Sequence, residues 1–482
     1  MTDMTMLTGT PGALPDPQAR VFDSTEAPAD PTVLRALNRA AADTDLAAPP
    51  VVLPDFHHKR DLEMPSSIAV ATRATVRPEF TSPSVNCGMA LLALDIDVPG
   101  EAALHRYFDE IRRRYPHPPR WRWELSLTDV LACAETGAEF GVDRYGLHPE
   151  ALERIEEGGR LDLDRYGGLK RLRRELPALS LQLARLRFGT IGPSDHFVEL
   201  QQVEEILDPQ AAAVLGVAAG QLTLQYHAGG GQLTGQVGRL FARRQKMSRP
   251  LAATMLINRP LAHLATARSA AQIRERLALY FTGGCPVIPV EGTEGERVLL
   301  ANAAAMNYGF AFRTATYGTL TALARDVLGA REVRLIVDSP HNSIYEEDIG
   351  GQRAIVHRHN SCRAYPASKM TPGTAFGTVG QALLVPGTHR TSSYLCVAAD
   401  GAEGSLYTAC HGAGTIIDQF AASGRSGQDG RHRTTLRFRY RQDGPTAVPQ
   451  LDDRGVDEAL AILSRNGLVK PVARLHPVAV LN

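Results

Sequence analysis

The 482-residue chain has no net charge: 52 basic side chains stand against 52 acidic ones. Overall charge therefore predicts no polyanionic partner, and any nucleic-acid site has to be a local patch. Paired cysteine spacings are missing as well. Cys87, Cys133, Cys285, Cys362, Cys396 and Cys410 are scattered along the chain, which argues against a disulfide framework and for thiols kept in a reducing compartment. Neither a signal peptide nor an apolar run of about 18 residues occurs, so a cytoplasmic protein without a membrane segment is expected. The absence of an internal repeat and of a regular βαβ period speaks against a solenoid and against a doubly wound sheet. What remains is a chain that is 44% hydrophobic, enough to bury a large core.

Residues 1–50 are rich in Pro, Ala, Thr and Asp, with a helical pattern only around Pro31 to Ala42, and read as a partly ordered extension. Residues 51–482 read as one α+β body, mixed sheets with packed helices around a central cleft. SSIAVAT (Ser66 to Thr72), MALLALDIDV and QLTLQYH have strand character, and Glu101 to Arg187 carries apolar residues at three-and-four spacing. Asp208 and Pro209 are the N-cap and first position of a short helix ending near Gly216.

Several histidines fall where strands end. In SLYTACHGAG, His411 is followed by Gly412, Ala413 and Gly414, whose small side chains let backbone N–H groups approach phosphate oxygens. His411 is thus a candidate nucleophile, although the same residues taken alone also make an ordinary tight turn. His227 repeats the design, closing a strand against three glycines. Asp195 and His196 follow a Gly/Pro/Ser turn, with Glu199 about one strand step further on, and His341 and Asn342 close VRLIVDSP. Cys87 sits at a turn before a strand, where a sulfur either faces a cleft or is buried and inert. Arg112 to Arg114, Lys170 to Arg174 and the alternating Arg437, Arg439 and Arg441 offer phosphate contacts or solvated faces equally well.

LPDFHH, SPSVNCGMALLAL, FGTIGPSDHFVELQ, HAGGGQLTGQV, AAAMNYGFAFR, SPHNSIYEE, VHRHNSCRAYP, LLVPGTHRTSSY, CHGAG and VARLHPVAV occur in one order and spacing. In that arrangement the chain resembles the RtcB family, ligases that join RNA 3′-phosphate or 2′,3′-cyclic phosphate ends to 5′-hydroxyl ends. The resemblance runs from Val51 to Asn482. It implies that His411 becomes guanylylated, that Cys87, His196, His227 and His341 hold Mn²⁺, and that GTP is the co-substrate. It further implies that Glu199 reads guanine and that Asn307 belongs to the nucleotide site, which Asn342, Pro386, Thr388, Gly412, Ala413 and Gly414 complete. Ligand softness alone would favour zinc for one thiolate and three imidazoles; manganese comes from the family. Arg358, Arg363 and Arg390 are nominated to hold RNA. An archease-like activator is an expected partner, and a monomer the expected state.

Departures from the family pattern are equally readable. Ser84 stands in place of a carboxylate ligand, so one ion is expected to be firm and a second weak, with Asp195, His58 or Asp55 as compensating groups. Gly231 and Thr415 replace two phosphate-gripping arginines, and Asp453 and Asn482 replace a tyrosine and a lysine at the guanine. Three functions therefore compete: an RNA ligase, a nucleotidyltransferase with another nucleotide or acceptor, and a non-catalytic RNA-binding homologue.

Overall fold

The computed structural model describes residues 18–482 except 59–62, 118, 120, 121, 193, 194, 243, 245, 246, 283 and 284. The first 17 residues of the expected extension, and Pro193 and Ser194 of the turn before Asp195, lie outside the described residues.

The strands used below are β1 (Ile68–Thr72), β2 (Gly88–Leu94), β3 (Phe197–Ile206), β4 (Leu222–Ala228), β5 (Val333–Pro340), β6 (Asn342–Ile349), β7 (Gln352–His359), β8 (Ala382–Val385), β9 (Ser393–Ala398) and β10 (Val469–Leu481). A nine-stranded sheet has the order β8-β9-β10-β3-β4-β2-β5, with Thr434–Phe438 and Thr446–Pro449 attached beside β10. Its neighbours along this path are all antiparallel. The second large sheet runs Arg20–Val21, Val51–Val52, β1, β7, β6. This is the α+β arrangement expected from the irregular order of elements.

Antiparallel register decides where the chemistry sits. Gly88 pairs with Ala228 and with Pro340, and Phe197 pairs with His227. The starts of β2 and β3 and the ends of β4 and β5 therefore lie at one end of the sheet, carrying Cys87, His196, His227 and His341 with them. Gly88 has to be glycine: a Cβ there would lie 2.8 Å from the Ser339 carbonyl oxygen. The short strand Thr408–Cys410 pairs with Ser361–Arg363, and the Ser361 amide donates to the His341 carbonyl at 3.0 Å. His411 is delivered to the same end by that link.

Helix α1 (Gly231–Leu240) follows β4, and the 31-residue helix α2 (Thr293–Leu323) runs through the middle of the molecule. α2 is apolar or small on nearly every face and is buried along most of its length, as a helix without a polar side must be. Of its two deep cations, Arg297 pairs with Glu175 and Glu294, while Arg313 meets Asp338 on β5 with Nη2 2.6 Å from Oδ1 and holds the side-chain oxygen of Asn86 at 2.6 Å. Arg313 thus clamps the turn that presents Cys87.

No break in the fold marks residue 50. Arg20–Val21 pairs in parallel with Val51–Val52, and the helix Pro31–Ala41 buries Leu37 against Val52, Ile68 and Phe80. Asp30 caps that helix by accepting from the Thr32 amide at 2.7 Å. Among the described residues, none of the cysteines forms a disulfide, and no helix is long and apolar enough to cross a membrane.

Candidate metal and nucleotide site

Two donor clusters share one imidazole. Cys87, His196 and His227 form the first and His227, His341 and His411 the second; within each, the donor atoms lie within 4.8 Å of one another. The Cys87 Sγ is 3.5 Å from His196 Nε2 and 3.3 Å from His227 Nε2. Two donors on one tetrahedral ion, each about 2.0–2.3 Å from it, are held roughly 3.3–3.7 Å apart, so this spacing fits a common metal. The His341 and His411 rings meet edge to face with centroids 3.9 Å apart.

The surroundings prepare these imidazoles as ligands. His227 Nδ1 lies 2.7 Å from the Asp195 carbonyl oxygen and donates to it, which leaves the Nε2 lone pair for the cluster. Burial, together with His196 and His411 nearby, holds His227 well below the usual histidine range. His196 is also lowered by burial, with Asp195 partly opposing. Both rings are neutral at pH 7. Burial keeps the neighbouring Cys410 thiol protonated, so the sulfur next to the candidate nucleophile takes no part.

Beside His411 opens a pocket of about 280 Å³ lined by Glu199, Pro386, Thr388, Gly412, Ala413 and Gly414, with Asn482 at its edge. Gln201 donates to Glu199 Oε1 at 2.6 Å and lies 3.2 Å from the Ser393 hydroxyl, which accepts from the Gly387 amide. This chain ties the Glu199 carboxyl to the Pro386–Thr388 turn. Gln201 was open to detection from sequence, since it lies two strand residues after Glu199 and so on the same face.

Other expected residues are elsewhere. Asn307 lies away from the pocket. Fully buried on α2, it accepts from the Leu161 amide at 2.6 Å and donates to the carbonyls of Ala134 and Leu161, so it binds the helical layer together. Asn342 is also not in the pocket wall; its Oδ1 accepts from the Asn360 amide and its carbonyl from the Asn86 amide. Arg358 is fully buried and donates to both carboxylate oxygens of Glu347, at 2.6 and 2.8 Å. Arg363 is buried against Glu156 and Glu157. Neither is available to RNA, because each neutralises a carboxylate inside the fold. Arg390 is half-buried, with Nε donating to the Pro449 carbonyl. The alternating strand ends at Phe438, and Arg437 donates to Asn482 Oδ1 at 2.9 Å.

The compensating groups are sorted in the same way. His58 is exposed, and Ser84 lines the same large cavity as His196. Asp55 accepts from the Thr415 amide at 2.6 Å and faces the pocket. Asp453 accepts from the Ser392 amide at 2.7 Å.

Arg358→Met should cost about 3–5 kcal/mol in urea unfolding, since Glu347 would be left buried without its cation. A loss below about 1 kcal/mol would instead mark the pair as solvated.

A family model described as tRNA-splicing ligase RtcB matches residues 37–482. The chain belongs to the RtcB family. A tRNA-splicing ligase RtcB of Pyrococcus horikoshii is 26% identical over 415 residues, covering 82% of this chain and 44% of that protein. The Thermococcus kodakarensis tRNA-splicing ligase RtcB is 25% identical over 454 residues, 89% of this chain and 86% of the relative. The Mycobacterium tuberculosis RNA-splicing ligase RtcB is 28% identical over 372 residues, 74% of this chain and 77% of the relative. The chain thus spans less than half the length of the Pyrococcus protein and most of the other two. In this RtcB-family chain the two donor clusters adjoin a pocket of about 280 Å³.

Proposed function

We propose that this RtcB-family chain is an RNA ligase joining 3′-phosphate or 2′,3′-cyclic phosphate ends to 5′-hydroxyl ends through a guanylyl group on His411. The observation that carries this reading is the position of His411. Its ring belongs to one donor cluster and also borders a pocket containing Glu199 and the Gly412–Gly414 backbone.

The residues divide the work. Cys87, His196, His227 and His341 offer the donors for divalent ions, with His411 kept as the nucleophile, and manganese is the ion proposed. Bound there, it would neutralise the α-phosphate and the departing pyrophosphate. The His411 nitrogen attacks the α-phosphorus, the bond to pyrophosphate breaks, and a phosphoramidate forms. The 3′-phosphate of one RNA, formed from a cyclic end by addition of water that releases the 2′-hydroxyl, then takes the guanylyl group, freeing His411. A 5′-hydroxyl attacks the activated end, and GMP leaves. The small residues after His411 admit backbone N–H groups close to phosphate oxygens.

Glu199 gives the nucleotide step a pH signature. Burial pushes its carboxyl up to about 8, with the Gln201 hydrogen bond opposing. Its ionised form accepts from guanine N1–H and the amino group, and adenine offers no such donor pair on that edge. GTP labelling is therefore expected to outrun ATP labelling. The KM for GTP should fall severalfold as pH rises from 6.5 to 8.5, the carboxylate fraction growing as pH approaches and passes the Glu199 value. Glu199→Gln should flatten that dependence; an unchanged profile in the variant would remove Glu199 from base recognition.

A second reading, a nucleotidyltransferase with another nucleotide or acceptor, draws on Asn482, which stands at the pocket edge bound to Arg437 in place of a lysine. Incubation with Mn²⁺, GTP, a 3′-phosphate RNA and a 5′-hydroxyl RNA separates the two. Joined product supports the ligase, and self-labelling that never yields product supports the transferase.

A further inference from the structure

Arg358 and Arg363 are consumed by internal carboxylates, and Gly231 cannot carry a side chain. Its φ is +82°, and a Cβ there would lie 2.6 Å from the Phe312 ring. Of the nominated arginines only Arg390 keeps partial exposure, so further cations that hold RNA are sought elsewhere in the chain.

A cavity of about 760 Å³ opens on the other side of the donor clusters, far larger than the nucleotide pocket. His196 lines both spaces, so the first cluster forms part of the wall between them. Arg114, Arg122, Arg144, Arg187 and Arg239 line this cavity; Arg122 lies 4.0 Å from Glu124 and Arg144 3.6 Å from Asp129, which still leaves cations in excess among its described lining residues. Such an excess in a neutral protein is the local patch that its overall charge left open.

Two side chains in this wall are arranged for particular contacts. Arg239 folds back along α1, its Nη1 donating to the Gly235 carbonyl at 2.8 Å. A Cβ at Gly235 would come to 3.2 Å of that nitrogen, so the glycine makes room for the guanidinium. Arg239 thereby brings a cation back toward the start of α1, where the family's arginine would have stood at 231. Burial and the neighbouring Arg244 lower its pKa to about 10, with Glu63 opposing. Trp123 is 55% exposed yet fixed in place. The Arg185 guanidinium lies 3.8 Å from its ring centroid and is itself anchored on the Leu125 carbonyl and Gln182. An exposed, immobilised indole beside arginines is a stacking platform for a nucleobase.

We infer that this cavity is the channel by which a single-stranded RNA end reaches the metal donors, with a base stacked on Trp123 and a backbone phosphate held by Arg239. The inference rests on the RNA-ligase reading for its ligand, and its test needs no catalysis.

Trp121 and Trp123 are the only tryptophans in the chain, so a Trp121→Phe protein emits from Trp123 alone. This protein is titrated, without GTP, with a short single-stranded RNA carrying a 3′-phosphate and a distant fluorophore. Tryptophan emission is expected to quench with the same midpoint as the RNA anisotropy. In the protein with both tryptophans present, Trp123→Ala should weaken RNA binding roughly five- to hundredfold. Arg239→Ala should reduce the log–log salt slope by roughly 0.7, the value for one lost single-strand phosphate contact, and Arg239→Lys should restore part of it. Melting temperature and metal content report whether each variant has folded.

Binding without quenching, an unchanged salt slope in a folded Arg239→Ala protein, or no RNA binding at all would each overturn the channel. Quenching and slope loss in a protein that never joins ends would keep the channel and defeat the ligase reading. Joining that is indifferent to both substitutions would do the reverse.

Discussion

Replacing His411 by alanine is expected to abolish nucleotide labelling and RNA joining together, by at least roughly a thousandfold, because the proposed mechanism places the covalent guanylyl group on its ring nitrogen. Metal should survive in part. His411 belongs to only one of the two donor clusters, so the set of Cys87, His196 and His227 stays whole. Elemental analysis after dialysis should therefore find at least one ion per chain in His411→Ala, while the gel shows no label. Joined product from this variant would refute the covalent mechanism. Loss of all metal would mean that the clusters act as a single site.

Cys87→Ala has the second large effect, and it acts in the opposite order. Removing the sulfur leaves two imidazoles in the first cluster and takes away the only thiolate of either set. Loss of an outer hydrogen-bond partner already lowers metal affinity roughly 10- to 100-fold, and loss of the donor itself should exceed that. The variant is expected to dialyse to a lower metal content and to label slowly at micromolar Mn²⁺, with recovery at millimolar Mn²⁺ through the remaining His196, His227 and His341. A Cys87→Ala protein that keeps its metal after dialysis would show that the sulfur is a packed thiol and not a ligand.

Much of this site was visible in the sequence because strand ends have a strong local signature. His227 before three glycines and His341 after VRLIVDSP mark the points where β4 and β5 stop. Their meeting could not be read from periodicity, since it depends on antiparallel register across strands up to about 250 residues apart, as with Gly88 and Pro340. The order and spacing of whole blocks supplied that information.

Charged residues were harder to place. Arg363 sits in a basic-looking run, and its carboxylate partners Glu156 and Glu157 lie about two hundred residues upstream. Nothing local distinguishes such an arginine from one reaching for phosphate. The Arg358–Glu347 pair was closer to hand, since both residues lie on one hairpin, β6 and β7. Asn307 was hard to place for another reason: α2 is buried on nearly all sides, so it has no polar face from which to read the direction of an asparagine. The pairing of Arg20–Val21 with Val51–Val52 was hidden because two residues are too few to establish a period-two pattern.

The central claim is that His411 carries the nucleotide, and peptide mapping by mass spectrometry addresses it directly. The protein is incubated with Mn²⁺ and labelled GTP, or with labelled ATP in parallel, then digested at alkaline pH to protect a phosphoramidate bond. One guanylylated peptide is expected, containing SLYTACHGAG and modified at His411, with much less adenylyl adduct. Absence of any nucleotide adduct, modification of another residue, or faster labelling by ATP would contradict the account.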